Sequence, residues 1–185
     1  MKKIYYYLIG IALLLISFIF DKQTSLFFTS YRTEFLNAIA IFIDEVEWYV
    51  IFGIVLLIIL INKRFKLILP LIISFILYYI LTSGIKILVA RPRPFVTLDN
   101  SLVNNEPYRS FPSGHATAMF VSLPFLKFKI IYTIWFILGI IVMLSRVYLG
   151  VHYLSDVIAG MLLGYFISDN ILILFRKYKK DYRKI

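Results

Sequence analysis

Uncharged apolar runs, too long to be hidden inside a soluble domain, recur along this chain; the first extends from Ile4 to Phe20. Crossing the ~30 Å hydrocarbon layer of a bilayer takes about 20 apolar residues as a helix, with ~17 as a lower bound. Within that layer every backbone N–H and C=O must find a partner inside the protein, which for this pattern means α-helices. The sequence therefore predicts an all-α fold, a six-transmembrane-helix bundle forming one domain over residues 1–185. The spans are expected at about residues 4–20, 48–62, 67–90, 113–126, 128–146 and 152–175. The apolar stretch at about 33–45 is too short to cross, and Asp44, Glu45 and Glu47 lie at its end. It reads as a helix lying in the membrane interface. The 113–126 segment is also short, about 21 Å at 1.5 Å per residue. Its N-terminal end is therefore expected below the lipid headgroups, unless the helix extends past Lys127. Lys2 and Lys3 ahead of an apolar run would also suit a secretory leader, but no small-x-small cleavage site follows, so an uncleaved helix is expected.

Hydrophobic residues make up 61% of the chain, against about 45–50% in soluble domains, which excludes a soluble globular, disordered or fibrous protein. The absence of cysteine excludes disulfides, iron–sulfur clusters and thiol catalysis. Twenty Lys and Arg against ten Asp and Glu leave a net charge of +10, and the position of these charges matters more than their number. Thirteen of the twenty fall at one set of helix ends: Lys2, Lys3, Lys63, Arg64, Lys66, Lys127, Lys129, Arg176, Lys177, Lys179, Lys180, Arg183 and Lys184. Positive residues gather on the cytoplasmic side, so both termini are expected to be cytoplasmic. The basic tail then reads as a flank touching anionic lipid rather than a nucleic-acid arm, and no nucleic-acid partner is expected. The sequence leaves the oligomeric state open.

The polar residues that a membrane tolerates poorly gather in three places on the opposite, extracytoplasmic side. Lys86, Arg91 and Arg93 close the third span; Pro112-Ser113-Gly114-His115 opens the fourth; Ser145-Arg146, His152 and Asp156 join the fifth and sixth. Together they describe an anion site. A helix N-terminus presents unpaired N–H groups and a positive dipole end. Gly114 permits close backbone approach, and Ser113 can cap the helix or donate to an oxyanion. Arg93 and Arg146 can each clamp phosphoryl oxygens with two donors, and Lys86 adds a point charge. His152 and Asp156 are four apart, so on a helix they would share a face. A carboxylate on one imidazole nitrogen leaves the other as a nucleophile, and His115 then stands as general acid.

Each feature alone has a plainer reading. Lys86 could snorkel to the interface; Arg91 and Arg93 could lie in a solvated loop; Ser113 could be only an N-cap; His152 and Asp156 could be a structural pair. Two histidines and Asp156 could also bind a divalent metal, but no second carboxylate lies near and three cationic residues would repel it. No metal or other cofactor is expected.

Lys86 followed after six residues by Arg93-Pro94, then Pro112-Ser113-Gly114-His115, then Ser145-Arg146 with His152 and Asp156, resembles the three-part signature of the phosphatidic acid phosphatase type 2 superfamily. That superfamily includes glucose-6-phosphatase and the vanadium haloperoxidases. The resemblance covers Lys86 to Asp156 and implies a metal-independent lipid phosphatase working through a phosphohistidine. By it, His152 attacks phosphorus, Asp156 orients it, and His115 protonates the leaving group and then activates water. Lys86, Arg93, Ser113, Gly114 and Arg146 cradle the phosphoryl oxygens. A pocket at the outer membrane boundary implies a lipid phosphate partner held in the bilayer among membrane lipids. A polyprenyl (undecaprenyl-type) diphosphate is the expected substrate. Phosphatidylglycerophosphate, phosphatidic acid and lipid A phosphate are the alternatives, with a phosphotransferase, a phospholipid carrier or a haloperoxidase as rival classes. The loop Phe95–Phe111, with Asn100, Asn104, Asn105, Glu106, Tyr108 and Arg109, is expected to contact the headgroup, or to be a solvated connector. Asp169, about 25 Å along the last helix from His152, is expected to pair with Arg176 or Lys129 rather than to act in catalysis.

Overall fold

The computed structural model describes residues 2–45, 48–98, 102 and 109–178. Glu47, the loop residues Asn100, Asn104, Asn105, Glu106 and Tyr108, and the tail residues Lys179, Lys180, Arg183 and Lys184 lie outside them. Among the described residues every regular element is helical: α1 (Lys2–Ser30), α2 (Glu34–Asp44), α3 (Trp48–Ile61), α4 (Ile68–Val89), α5 (Pro94–Leu98), α6 (Gly114–Ser122), α7 (Lys129–Tyr148) and α8 (Leu154–Tyr178). Short 3-10 turns at Phe65–Leu67 and Leu123–Phe125 precede α4 and follow α6.

Four segments are long and apolar enough to cross a membrane: Tyr5–Ser30, Phe65–Val89, Lys129–Tyr148 and Leu154–Tyr178. The other two expected spans are shorter, with 14 residues in α3 and nine in α6. For α6 the physical reason is its position. Every residue from Ala116 to Ser122 is buried, because α3, α4, α7 and α8 pack around it. A helix sheathed in protein need not match the thickness of lipid. Its C-terminal end is held by side chains instead: Trp135 of α7 donates to Ser122 Oγ at 2.8 Å, and Arg64 donates at 3.1 Å to the carbonyl of Phe125 in the turn that follows.

Lipid tails supply no hydrophobic drive between helices, so close backbone approach and hydrogen bonds must hold the bundle. Gly160 and Gly164 of α8 provide the approach to α6. A methyl group on Gly164 would lie 2.4 Å from the Thr117 carbonyl, and one on Gly160 2.6 Å from the Ser113 carbonyl. In α1 the large apolar side chains face outward, whereas Gly10, Ser17, Asp21 and Ser25 form the buried stripe. The helix continues through Asp21 to Ser30, ten residues past the expected end of the first span, because that carboxylate faces protein rather than lipid. Thr33 caps α2 by accepting from the Leu36 N–H at 3.3 Å. Tyr148 ties α2 to α7 by donating to Asn37 Oδ1 at 2.7 Å and accepting from the Thr33 N–H at 3.2 Å.

Gly164→Ala is expected to lower the thermal unfolding midpoint in detergent micelles, by an overpacking cost of about 1–3 kcal/mol. Gly53→Ala, with nothing within 4 Å of the added methyl, is the matched control and should be neutral or slightly stabilising. Equal midpoints for the two variants would contradict the close α6–α8 crossing.

Candidate active site

Three chain reversals bring the site together. Helix α4 ends where Ala90 enters the left-handed region (φ 47°), its N–H donating to the Lys86 carbonyl at 3.1 Å. The prolines at 92 and 94 then prevent a continuing helix. This segment is pinned from the far side of the loop, with the Ser110 N–H donating to the Arg91 carbonyl at 2.9 Å. The second reversal delivers Ser113, whose Oγ accepts from the Ala116 N–H at 3.5 Å as the N-cap of α6. Its own N–H donates to the Asp156 carbonyl at 3.0 Å, joining the starts of α6 and α8. The third turns on Gly150 at φ 78°, a conformation that suits glycine. Beyond it the N–H groups of Val151 and His152 both donate to the Arg146 carbonyl at 3.3 Å.

These reversals surround a cavity of about 350 Å³. Of the eight residues expected from the sequence, Lys86, Arg93, Gly114, His115, Arg146 and His152 line it. Trp48, Tyr78, Tyr79, Thr82 and Ser83 complete the wall. Ser113 and Asp156 stand behind it, both fully buried, one capping α6 and the other backing His152. Trp48 and Tyr79 also line an adjoining apolar groove of about 540 Å³, with Tyr49, Phe52, Phe75 and isoleucines of α4.

Arg93 is 3% exposed and donates through Nη1 to the Val151 carbonyl at 2.8 Å. The same nitrogen lies 3.4 Å from His152 Nε2. A guanidinium only donates, so Nε2 is the accepting nitrogen and the neutral ring carries its hydrogen on Nδ1. Asp156 Oδ2 lies 3.5 Å from that Nδ1 and accepts from the Tyr153 N–H at 2.9 Å. Lys86 Nζ donates to the Arg109 carbonyl at 3.0 Å. Arg146, 1% exposed, pairs with Asp44 at the end of α2.

Several sequence expectations change here. His152 is not on the helix with Asp156. It sits in the turn before α8, whose first turn carries Asp156, and the pair meets because that turn folds back. Arg91 is not in a solvated loop: its guanidinium bonds to Asp156 Oδ1 and to Asp21 Oδ2, each at 2.7 Å. Burial opposes the Arg91 charge, but the two carboxylates outweigh it and hold its pKa above the ordinary value. Tyr7 of α1 donates to Asp169 at 3.5 Å. Asp21, Ser155 and Asp44 were not singled out from sequence. For Asp21, the available signal was a carboxylate in helical register with Gly10, Ser17 and Ser25.

Residues 67–180 match the PAP2 superfamily. The chain is 34% identical over 139 residues to an undecaprenyl-diphosphatase of Sulfolobus acidocaldarius, covering 72% of this chain and 68% of that protein. The chain belongs to the PAP2 superfamily. Over 98 residues it is also 37% identical to phosphatidylglycerophosphatase B of Bacillus subtilis, a match covering 46% of each protein. The crystal structure of a transmembrane PAP2-type phosphatidylglycerolphosphate phosphatase from Bacillus subtilis has the same fold. Its TM-score is 0.72 at 24% identity, covering 92% of this chain and 98% of that one. This PAP2 protein is accordingly an integral membrane hydrolase of lipid phosphates.

Burial, and then the positive charges of Arg93, Lys86 and Arg146 with His115, hold the His152 imidazole well below its ordinary pKa. His152 is therefore neutral at pH 7 and takes a proton only well below pH ~6.5. Histidine NMR in detergent micelles checks this, the two imidazoles being assigned with a His115→Gln variant. Protonation of His152 at or above pH ~6.5 would contradict the arrangement.

Proposed function

We propose that this PAP2 protein hydrolyses a polyprenyl (undecaprenyl-type) diphosphate through a phosphohistidine, without metal or other cofactor. The observation that carries the reading is His152, with Nε2 beside Arg93 at the cationic cavity and Nδ1 facing Asp156. The Nε2 lone pair attacks the terminal phosphorus while Lys86, Arg93, Arg146 and the N–H groups around Gly114 hold its oxygens. Asp156 stabilises the imidazole as it gains positive charge. The bond from phosphorus to the bridging oxygen breaks, and protonated His115 gives its proton to the departing lipid monophosphate. His115 then takes a proton from water, which attacks the phosphohistidine, releasing inorganic phosphate and restoring neutral His152. Ser113 serves this cradle by fixing the start of α6.

The apolar groove meeting the cavity at Trp48 and Tyr79 supports a lipid chain lying outside the polar site. The relative named undecaprenyl-diphosphatase favours a polyprenyl diphosphate. The relative named phosphatidylglycerophosphatase B supports the second reading, a phospholipid monophosphate such as phosphatidylglycerophosphate, phosphatidic acid or lipid A phosphate. In the bilayer we place α3 and the sheathed α6 as the second and fourth of six spans. Both termini are then cytoplasmic and the cavity extracytoplasmic, as the basic helix ends favour. An epitope appended after Ile185 should therefore be reachable in intact cells only after permeabilisation.

Phosphate release from undecaprenyl diphosphate, phosphatidylglycerophosphate and phosphatidic acid in micelles tests the function. The diphosphate should be turned over fastest, equally well with and without EDTA. His152→Ala should lose activity by on the order of 10³-fold or more, together with the acid-labile, base-stable phosphoprotein formed during turnover. Full activity in that variant would exclude the phosphohistidine route.

A further inference from the structure

We propose that Asp21 and Arg91 are positioning residues for the reaction, a carboxylate of the first helix and a guanidinium of the turn after α4 that together set the orientation and charge of Asp156. The proposal rests on the phosphohistidine reading, in which Asp156 backs the nucleophile. The geometry forms a closed set of hydrogen bonds. Arg91 Nη1 donates to Asp156 Oδ1 at 2.7 Å and to Ser155 Oγ at 2.6 Å, while Nη2 donates to Asp21 Oδ2 at 2.7 Å. Asp21 in turn accepts from the Ser155 N–H at 2.8 Å and from the Ser155 hydroxyl at 2.5 Å. Asp21 thus caps the first turn of α8 from another helix, where a negative charge meets the positive end of the helix dipole. The guanidinium lies over the Tyr153 ring, 4.1 Å from its centroid, with Phe18 on another side at 5.3 Å.

A carboxylate inside a membrane bundle is costly unless it is paired. One cation opposite Asp156 would have sufficed for charge balance. Sharing Arg91 with Asp21 does something different. It divides the guanidinium's charge, so Asp156 keeps part of its own for His152. That matters because the other charged or titratable groups facing His152, namely Arg93, Lys86, Arg146 and His115, all oppose a positive imidazole. The sharing also fixes Asp156 rigidly, since Oδ1 is held by Arg91 and Oδ2 by the Tyr153 N–H.

Asp21→Asn preserves shape and removes the competing charge, so Arg91 turns wholly to Asp156. In that variant, kcat for phosphate release from undecaprenyl diphosphate in micelles should fall on the order of 10- to 100-fold, as expected when a reacting group is slightly misplaced. KM and inhibition by vanadate should stay within about twofold, and the acid limb of kcat should move to lower pH. Arg91→Lys should recover part of the activity lost in Arg91→Ala. Wild-type kcat and pH profile in folded Asp21→Asn would overturn the proposal, as would a loss that merely tracks the fraction of unfolded protein. Should Asp21→Asn not fold, Ser155→Ala, which keeps both charges but removes the bridging hydroxyl, must show a smaller fall in kcat with a moved pH profile; an unmoved profile overturns the proposal. Wild-type Asp21→Asn beside inactive His152→Ala defeats the positioning role alone, whereas active His152→Ala defeats the phosphohistidine reading and the positioning role with it.

Discussion

A charge withdrawn from water must be answered by an opposite charge at close range, and here that constraint shapes one end of the bundle. Lys86, Arg91, Arg93 and Arg146 are brought together in an apolar protein, and Asp21, Asp44 and Asp156 stand against them. The carboxylates come from three different helices, α1, α2 and α8. Each therefore ties a distant part of the chain to the same small region. Among the described residues the cations of this cluster outnumber its carboxylates by one, a balance that favours affinity for an anion. Placing the carboxylates behind the cavity, rather than along its wall, keeps that affinity directed inward.

The same economy explains why the central helix is so short. Helix α6 carries Gly114 and His115 at its start, so its height sets the depth of the cavity. Its walls are other helices, and the glycines of α8 let it approach closely enough for Ser113 to donate to the Asp156 carbonyl. That single backbone bond couples the helix of His115, the proposed general acid, to Asp156, which backs His152. A looser crossing at Gly160 and Gly164 would separate the two halves of the proposed reaction while leaving each half intact.

Most of the site was legible in the sequence because its residues are conspicuous there: histidines, arginines and prolines break otherwise uniform apolar text. What was hidden followed from treating lipid as the only surrounding. The uncharged run stops at Phe20 because Asp21 follows it, yet that carboxylate faces α8 and Arg91 rather than lipid. Arg91 looked solvated because its partners lie 70 residues before it and 65 after it. The 113–126 segment was measured against a bilayer, yet its neighbours are protein. The helical placement of His152 failed for a local reason, since Gly150 turns the chain before α8 begins.

One tension in the site then resolves itself. Burial and the cations proposed to hold the phosphoryl group keep His152 neutral, which preserves its lone pair but opposes the positive imidazole that the proposed phosphohistidine requires. Substrate removes part of the opposition. In the proposed reaction a diphosphate bound against Lys86, Arg93 and Arg146 would neutralise part of their charge, so their effect on the imidazole would weaken once there is something to attack. In the empty site His152 resists protonation by solvent; in the filled site Asp156 becomes its dominant charged neighbour. For that exchange to work, Asp156 must not be spent on Arg91. Asp21 takes up the rest of that guanidinium, and the first helix thereby belongs to the chemistry as well as to the membrane anchor.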